Sequence, residues 1–317
     1  MPYSQLYQQN YLLTRDRVES ERLNKQHHFL IKLLNGNYID PFIHKKQIKA
    51  IADVGTGTGY ARLHTPTQSL NSIKNQEANP SNLTRRIWLE AFEKSLVTSS
   101  LPRPHLHGFD ISAAQFPTDH PIRDPEHRSI PLSVHDILHE WPAQNKRSYD
   151  LVHIRLLSTA IKKEQYRVAI KNSRELLKPN GYIQWEELDL KAFYTDQTPA
   201  QIPAVVKMCE VVNHAMIMKG LSPFAPNRVF EELSAGGFRS VRRKTYTTKG
   251  KKYLHAAAEE WVIGVLRAML VPCMLITGEA KNESEARSMV DALITEFEKH
   301  CKDAIPLINF TVILAQL

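Results

Sequence analysis

The stretch Asp53-Val54-Gly55-Thr56-Gly57-Thr58-Gly59 is the part of this chain best suited to chemistry. Glycines at alternate positions strip the Cβ from one side of the backbone, so a ligand can come close to the peptide groups. The spacing fails the G-x-G-x-x-G dinucleotide fingerprint, because the third glycine would fall at position 60, which is Tyr60. A nucleoside without a pyrophosphate is the better fit. Acids then follow at strand ends. Asp110 closes the apolar run 106–109, where a carboxylate can accept from both ribose hydroxyls of a nucleoside lying over a sheet edge. Asp136, in His135-Asp136-Ile137, is placed to accept from an adenine amino group. His153, near the end of the run 149–155, and Glu186 with Glu187, after Trp185, complete the set. His153 and Glu186 are the candidates for contact with reacting groups; the plainer reading of each is a hydrogen-bonded interior residue.

Positioning these groups requires strands that end at one edge. Ile48 to Val54, Leu106 to Phe109, Leu132 to Val134, Leu151 to Ile154 and Tyr182 to Trp185 read as strands, with a helix through Ala169 to Leu177 between the last two. Strands alternating with helical stretches imply right-handed crossovers and a parallel sheet. A helix is expected from Thr14, its cap, to Leu34, with Leu23, His27, Leu30 and Leu34 on one stripe and Gly36 past its end. Downstream, helices near 203–219 and 227–235, a strand near 239–247, a helical block over 252–302 and a last strand at 308–314 are expected.

Composition narrows the class. Across 317 residues, 42% are apolar and 23% charged, which excludes a disordered tail and a collagen-like fibre. Three cysteines without C-x-x-C spacing argue against a disulfide framework or a zinc cluster, so no metal is expected. They point to a reducing, cytoplasmic setting. The apolar run 261–276 is shorter than the roughly 20 residues of a membrane span and contains Arg267 and Pro272, so it is expected to be a buried helix. The net charge of +8 is diffuse except over 239–252, where a solvated strand edge is the plain explanation. Nucleic acid is the lesser reading of that charge and would require a salt-dependent affinity.

Taken together, Glu19-Ser20 with Arg22-Leu23-Asn24-Lys25-Gln26-His27, Ala52 through Gly59, His107-Gly108-Phe109-Asp110-Ile111-Ser112, Val134 through Ile137, Asp150 through Leu156 and Leu177 through Glu187 resemble class I S-adenosylmethionine-dependent methyltransferases. Within that class they resemble a fungal secondary-metabolism group that includes gliotoxin-type thiomethyltransferases and, more distantly, LaeA-type regulators. The resemblance implies one α/β Rossmann-like domain of seven strands, the last antiparallel. It implies an N-terminal helical lid (1–45), a cofactor-binding core (48–250), a helical cap (251–305) and a final strand (306–317).

The resemblance also implies S-adenosylmethionine as cofactor, held by Asp53, Gly55, Thr56, Gly57, Gly59, Asp110, Ile111, His135, Asp136 and Ile137. Arg22 or Arg15 would meet its carboxylate. The partner would be a small molecule methylated on thiol, nitrogen or oxygen; the alternatives are a cofactor-binding regulator without such a substrate, or a protein made inactive by an insertion at 60–86. One departure stands out. The helix that should follow the glycine loop begins near Ile87-Trp88-Leu89, so residues 60–86 are an extra segment between loop and helix.

Overall fold

The computed structural model describes residues 17–57, 87–98, 102–113, 116, 130–189, 194–195 and 202–317. Thr14, Arg15, Thr58, Gly59 and the extra segment 60–86 lie outside them.

All five residues of Ala50–Val54 (β1) are buried, the pattern of a strand covered on both faces. His105–Asp110 (β2), Leu132–Val134 (β3), Tyr149–Arg155 (β4) and Leu177–Leu188 (β5) extend the parallel ladder on either side of it. Tyr194–Thr195 (β6) stands apart from this sheet. Arg239–Thr247 (β7) lies at its margin, Pro306–Leu307 (β8) pairs with β6, and Asn309–Gln316 (β9) fills the gap between β5 and β7. The seven-stranded order is β3-β2-β1-β4-β5-β9-β7. β9 is antiparallel to both neighbours and therefore runs against the other six.

Helices cover both faces. Ile87–Thr98 (α2) buries Trp88, Leu89, Phe92 and Leu96, a helical spacing, against Ile51, Leu106 and Leu151. On the other face, Tyr166–Leu176 (α3) buries Tyr166, Ala169, Ile170 and Ser173 at i, i+3, i+4 and i+7. It shares that core with Ala225–Ala235 (α5).

Four further helices share one apolar cluster. Arg17–Leu33 (α1) presents His27, Leu30, Leu33 and Leu34 inward and stops where Asn35 and Gly36 turn left-handed, with Gly36 N–H donating to Ile31 O at 2.8 Å. It packs with Pro203–Met218 (α4), His255–Thr277 (α6) and Glu283–Cys301 (α7) in one apolar cluster that includes Met208, Met216, Met269 and Met274. The segment 252–277 is long and apolar enough to cross a membrane by length and composition. Its Trp261, Val262, Leu266, Leu270 and Met274 are buried in that cluster.

The basic stretch 239–252 falls on edge strand β7, as expected. Its cations have local partners: Arg242 lies 3.2 Å from the Phe42 ring centroid, and Arg243 lies over Phe230 at 4.9 Å while donating to Asn227. A groove of about 820 Å³ opens at the amino-terminal edge of the sheet between Lys146, Arg174, Asn180 and Arg239. That edge is opposite the glycine loop, and Lys146 there is paired with Glu140 and Glu175.

Candidate active site

Loop and acids meet at the carboxyl-terminal edge. After β1 the backbone turns through Gly55 (φ +74°) and Gly57 (φ +66°), a region that L side chains rarely adopt. Gly55 and Thr56 N–H donate to Phe109 O at 2.8 and 2.9 Å, and Gly57 N–H donates to Asp110 Oδ2 at 2.9 Å. His135 N–H then donates to Asp110 O at 2.8 Å, so the ends of β1, β2 and β3 are joined in one continuous rim. Ser112 N–H bonds the other Asp110 oxygen at 3.1 Å. Among the described residues, a Cβ built on Gly57 would meet nothing nearer than Gly55 O at 4.0 Å. An acidic strand tip beside backbone bare of Cβ atoms fits an adenosyl group.

Asp136 sits one strand further along the rim, its oxygens accepting from Leu138 N–H at 2.9 Å and His139 Nδ1 at 3.1 Å. His135 stacks on Trp141 with 4.0 Å between ring centroids, and Ile111 is half-buried just after Asp110. The rim thus collects Gly55, Thr56, Gly57, Asp110, Ile111, His135 and Asp136.

Three other expected ligands are placed differently. Asp53 is 3% exposed and spends one oxygen on Thr56 Oγ1 (2.8 Å) and the other on His153 Nδ1 (2.7 Å), so it shapes the loop from beneath. Ile137 points into the core because its strand end folds under α3. Arg22 grips Glu19 with two nitrogens, at 2.7 and 2.6 Å, and Gln26 with a third at 2.9 Å. Its stem lies against Gly264 of α6, which leaves it committed to the α1–α6 contact.

His153 and Glu186 are 0% exposed. His153 lies between two carboxyls, with Asp53 at 2.7 Å on Nδ1 and Glu186 at 3.5 Å on Nε2, and Trp88 stacks on its ring at 3.8 Å. Burial pulls its pKa down, but the Glu186 charge and the Asp53 hydrogen bond outweigh it, so the net shift is upward. Gln184 ties this network to the chain after α1, donating to Glu186 at 2.6 Å and to Tyr38 O at 3.1 Å and accepting from Asp40 N–H at 2.8 Å. These contacts engage both side chains inside the sheet, beneath Asp53 and Thr56. They brace Asp53 and Thr56 from inside the sheet.

Glu187 faces the opposite side of β5. It accepts from Trp185 Nε1 at 3.0 Å and Leu157 N–H at 2.9 Å, and burial pushes its pKa up to about 7. It therefore fixes the turn after β4, whose Leu157 side chain packs on Gly55: a Cβ there would come within 2.9 Å of Leu157 Cδ2.

Arg155 was not among the expected site residues. It is the last residue of β4 and lies two places beyond His153, so both share one face. Its signal in the sequence was a cation at the end of an apolar strand.

No protein-family model matches the chain. It is 32% identical over 221 residues to the methyltransferase grgD of Penicillium sp., covering 68% of this chain and 64% of that protein. It is 30% identical to the N-methyltransferase sirN of Leptosphaeria maculans, covering 74% and 66%, and 23% identical to the N-methyltransferase gliN of Aspergillus fumigatus, covering 74% and 70%. The chain therefore spans just under two thirds of the length of the first two. Among solved structures, a phosphoethanolamine N-methyltransferase of Haemonchus contortus shares 13% identity at a TM-score of 0.44, over 92% of this chain and 57% of that one. A Bacillus halodurans protein described as a putative methyltransferase shares 12% at a TM-score of 0.44, over 90% and 97%. By sequence the chain is a relative of fungal methyltransferases, and by its sheet order it has the class I methyltransferase fold.

Proposed function

We propose that the chain transfers a methyl group from S-adenosylmethionine to a nitrogen of a small metabolite. The observation that carries this reading is the joined rim in which Gly57 and Asp110 meet beside backbone bare of Cβ atoms. Nitrogen is favoured over thiol and oxygen because sirN and gliN are both named N-methyltransferases.

When bound, the cofactor would supply an electrophilic methyl group on a sulfonium: the acceptor's lone pair attacks the methyl carbon in line, the methyl–sulfur bond breaks to leave neutral S-adenosylhomocysteine, and the acceptor's proton passes to solvent. The chain's own contribution is placement, and near-attack positioning supplies much of the acceleration in such displacements. Gly55 and Gly57 let the backbone approach the nucleoside, and Asp110 accepts from its ribose. Asp136 and His135 line the adenine end. Asp53, His153 and Glu186 hold the loop in shape without touching the ligand, so they are positioning residues.

The test is to incubate the full chain with methyl-labelled cofactor and a panel of amine-, amide-, thiol- and hydroxyl-bearing metabolites. Label is expected in a nitrogen-bearing acceptor. Label on a thiol or hydroxyl alone overturns the choice of atom, and cofactor binding without transfer to any small molecule favours the regulator.

A further inference from the structure

The Arg155 side chain is half-buried at the end of β4, and the Glu186 and Asp53 carboxyls lie near enough to favour its charge. Its single hydrogen-bond contact is Nη1 to His27 Nδ1, at 3.3 Å. Glu186 lies across from it in register on β5, yet no ion pair forms among the described residues. The reason is competition: one Glu186 oxygen accepts from Gln184 at 2.6 Å, and the other faces His153 Nε2 at 3.5 Å. The residue is nevertheless half-buried rather than sealed, so it borders open space at the carboxyl edge of β4. β1, the strand beside it, ends in the glycine loop.

A guanidinium carries five donors in a planar fork that matches a carboxylate with two parallel bonds. The Glu186 and Asp53 charges favour the cation through space, but with one neutral acceptor bonded to it among the described residues most of its five donors remain for a ligand. His27 cannot neutralise it: burial, then the Arg155 charge, push the His27 pKa down to about 2, so the ring is neutral. Because Arg155 only donates, His27 Nδ1 is the acceptor and Nε2 carries the proton. His27 therefore aims the fork without satisfying it.

Arg22, the other candidate for this task, has its fork closed by Glu19. We propose that Arg155, aimed by His27, is the group that receives the carboxylate of the cofactor's amino-acid arm. The assignment rests on the methyltransferase reading above. It places the amino-acid arm over β4 and the nucleoside over β2 and β3, on opposite sides of the glycine loop.

Two ligands separate the possibilities. S-adenosylhomocysteine carries the carboxylate, whereas 5′-methylthioadenosine keeps the nucleoside and lacks the whole amino-acid arm. Binding of both to the full chain is measured calorimetrically for wild type, Arg155→Gln and Arg155→Lys. Arg155→Gln should weaken S-adenosylhomocysteine by about 10- to 100-fold and leave 5′-methylthioadenosine unchanged, since hydrogen bonds to charged groups are the strong ones. Arg155→Lys, which keeps the charge and loses the fork, should fall between. Retained 5′-methylthioadenosine binding also shows that each variant is folded. Equal weakening of both ligands, or no loss for S-adenosylhomocysteine, overturns the assignment. A wild-type chain that binds neither ligand removes the adenosyl site itself, and the role of Arg155 with it.

Discussion

Replacing His153 by glutamine tests the buried network most sharply. His153 has no exposure and sits between Asp53 at 2.7 Å and Glu186 at 3.5 Å, themselves 3% and 0% exposed. Glutamine can still donate one hydrogen bond, but it carries no charge, so two buried carboxyls lose the cation between them. Breaking a buried ion pair from one side costs about 3–5 kcal/mol. Lost stacking on Trp88, 3.8 Å away, adds roughly 0.5–1.5 kcal/mol. The pH dependence gives a second handle. The folded pKa of His153 is raised above the ordinary 6.5, so its stabilisation is fully present below pH 6.5 and is lost as pH rises through the folded value. Urea unfolding of His153→Gln and wild type should therefore differ most at pH 6, and the gap should narrow at higher pH. A loss under about 1 kcal/mol, or a gap that ignores pH, would show that His153 is a neutral filler.

Glu187 gives the opposite test. Its pKa is raised from 4.5 to about 7 by burial, so this group favours the fold below pH 4.5 and the advantage is lost as pH rises through 7. Glu187→Gln should gain on wild type between pH 5 and 8, by up to roughly 3 kcal/mol in urea unfolding; a constant difference contradicts the assignment. Gly108→Ala would put a Cβ 2.6 Å from Leu132 Cδ2 and 3.0 Å from Thr56 Oγ1. It should cost about 1–3 kcal/mol by overpacking and weaken cofactor binding through Thr56; an unchanged melting temperature would mean that the neighbours give way freely.

β1 and β2 were legible because a strand run ends in glycine at Gly55 and in acid at Asp110, where each reaches the rim. Asp110 could be placed from sequence because β2 is short and closed by a carboxylate. The fate of Asp53 was not legible. Its partner His153 lies 100 residues away, and only the parallel pairing of β1 with β4 brings them together. Arg22 is the reverse case. Glu19 stands three residues before it and Gln26 four after, the spacing at which helical side chains meet, so its closed fork was readable from helix geometry. Arg155 escaped notice because a cation at a strand end becomes informative only when its neighbours prove to be engaged elsewhere.

The account turns on one rim holding an adenosyl group, and calorimetric titration of S-adenosylhomocysteine into the full chain tests this most directly, with Asp110→Ala alongside. Wild type should bind, and the variant should lose about 1.5–3 kcal/mol, the value of hydrogen bonds to a charged acceptor. No binding by wild type, or equal affinity for both proteins, would contradict it.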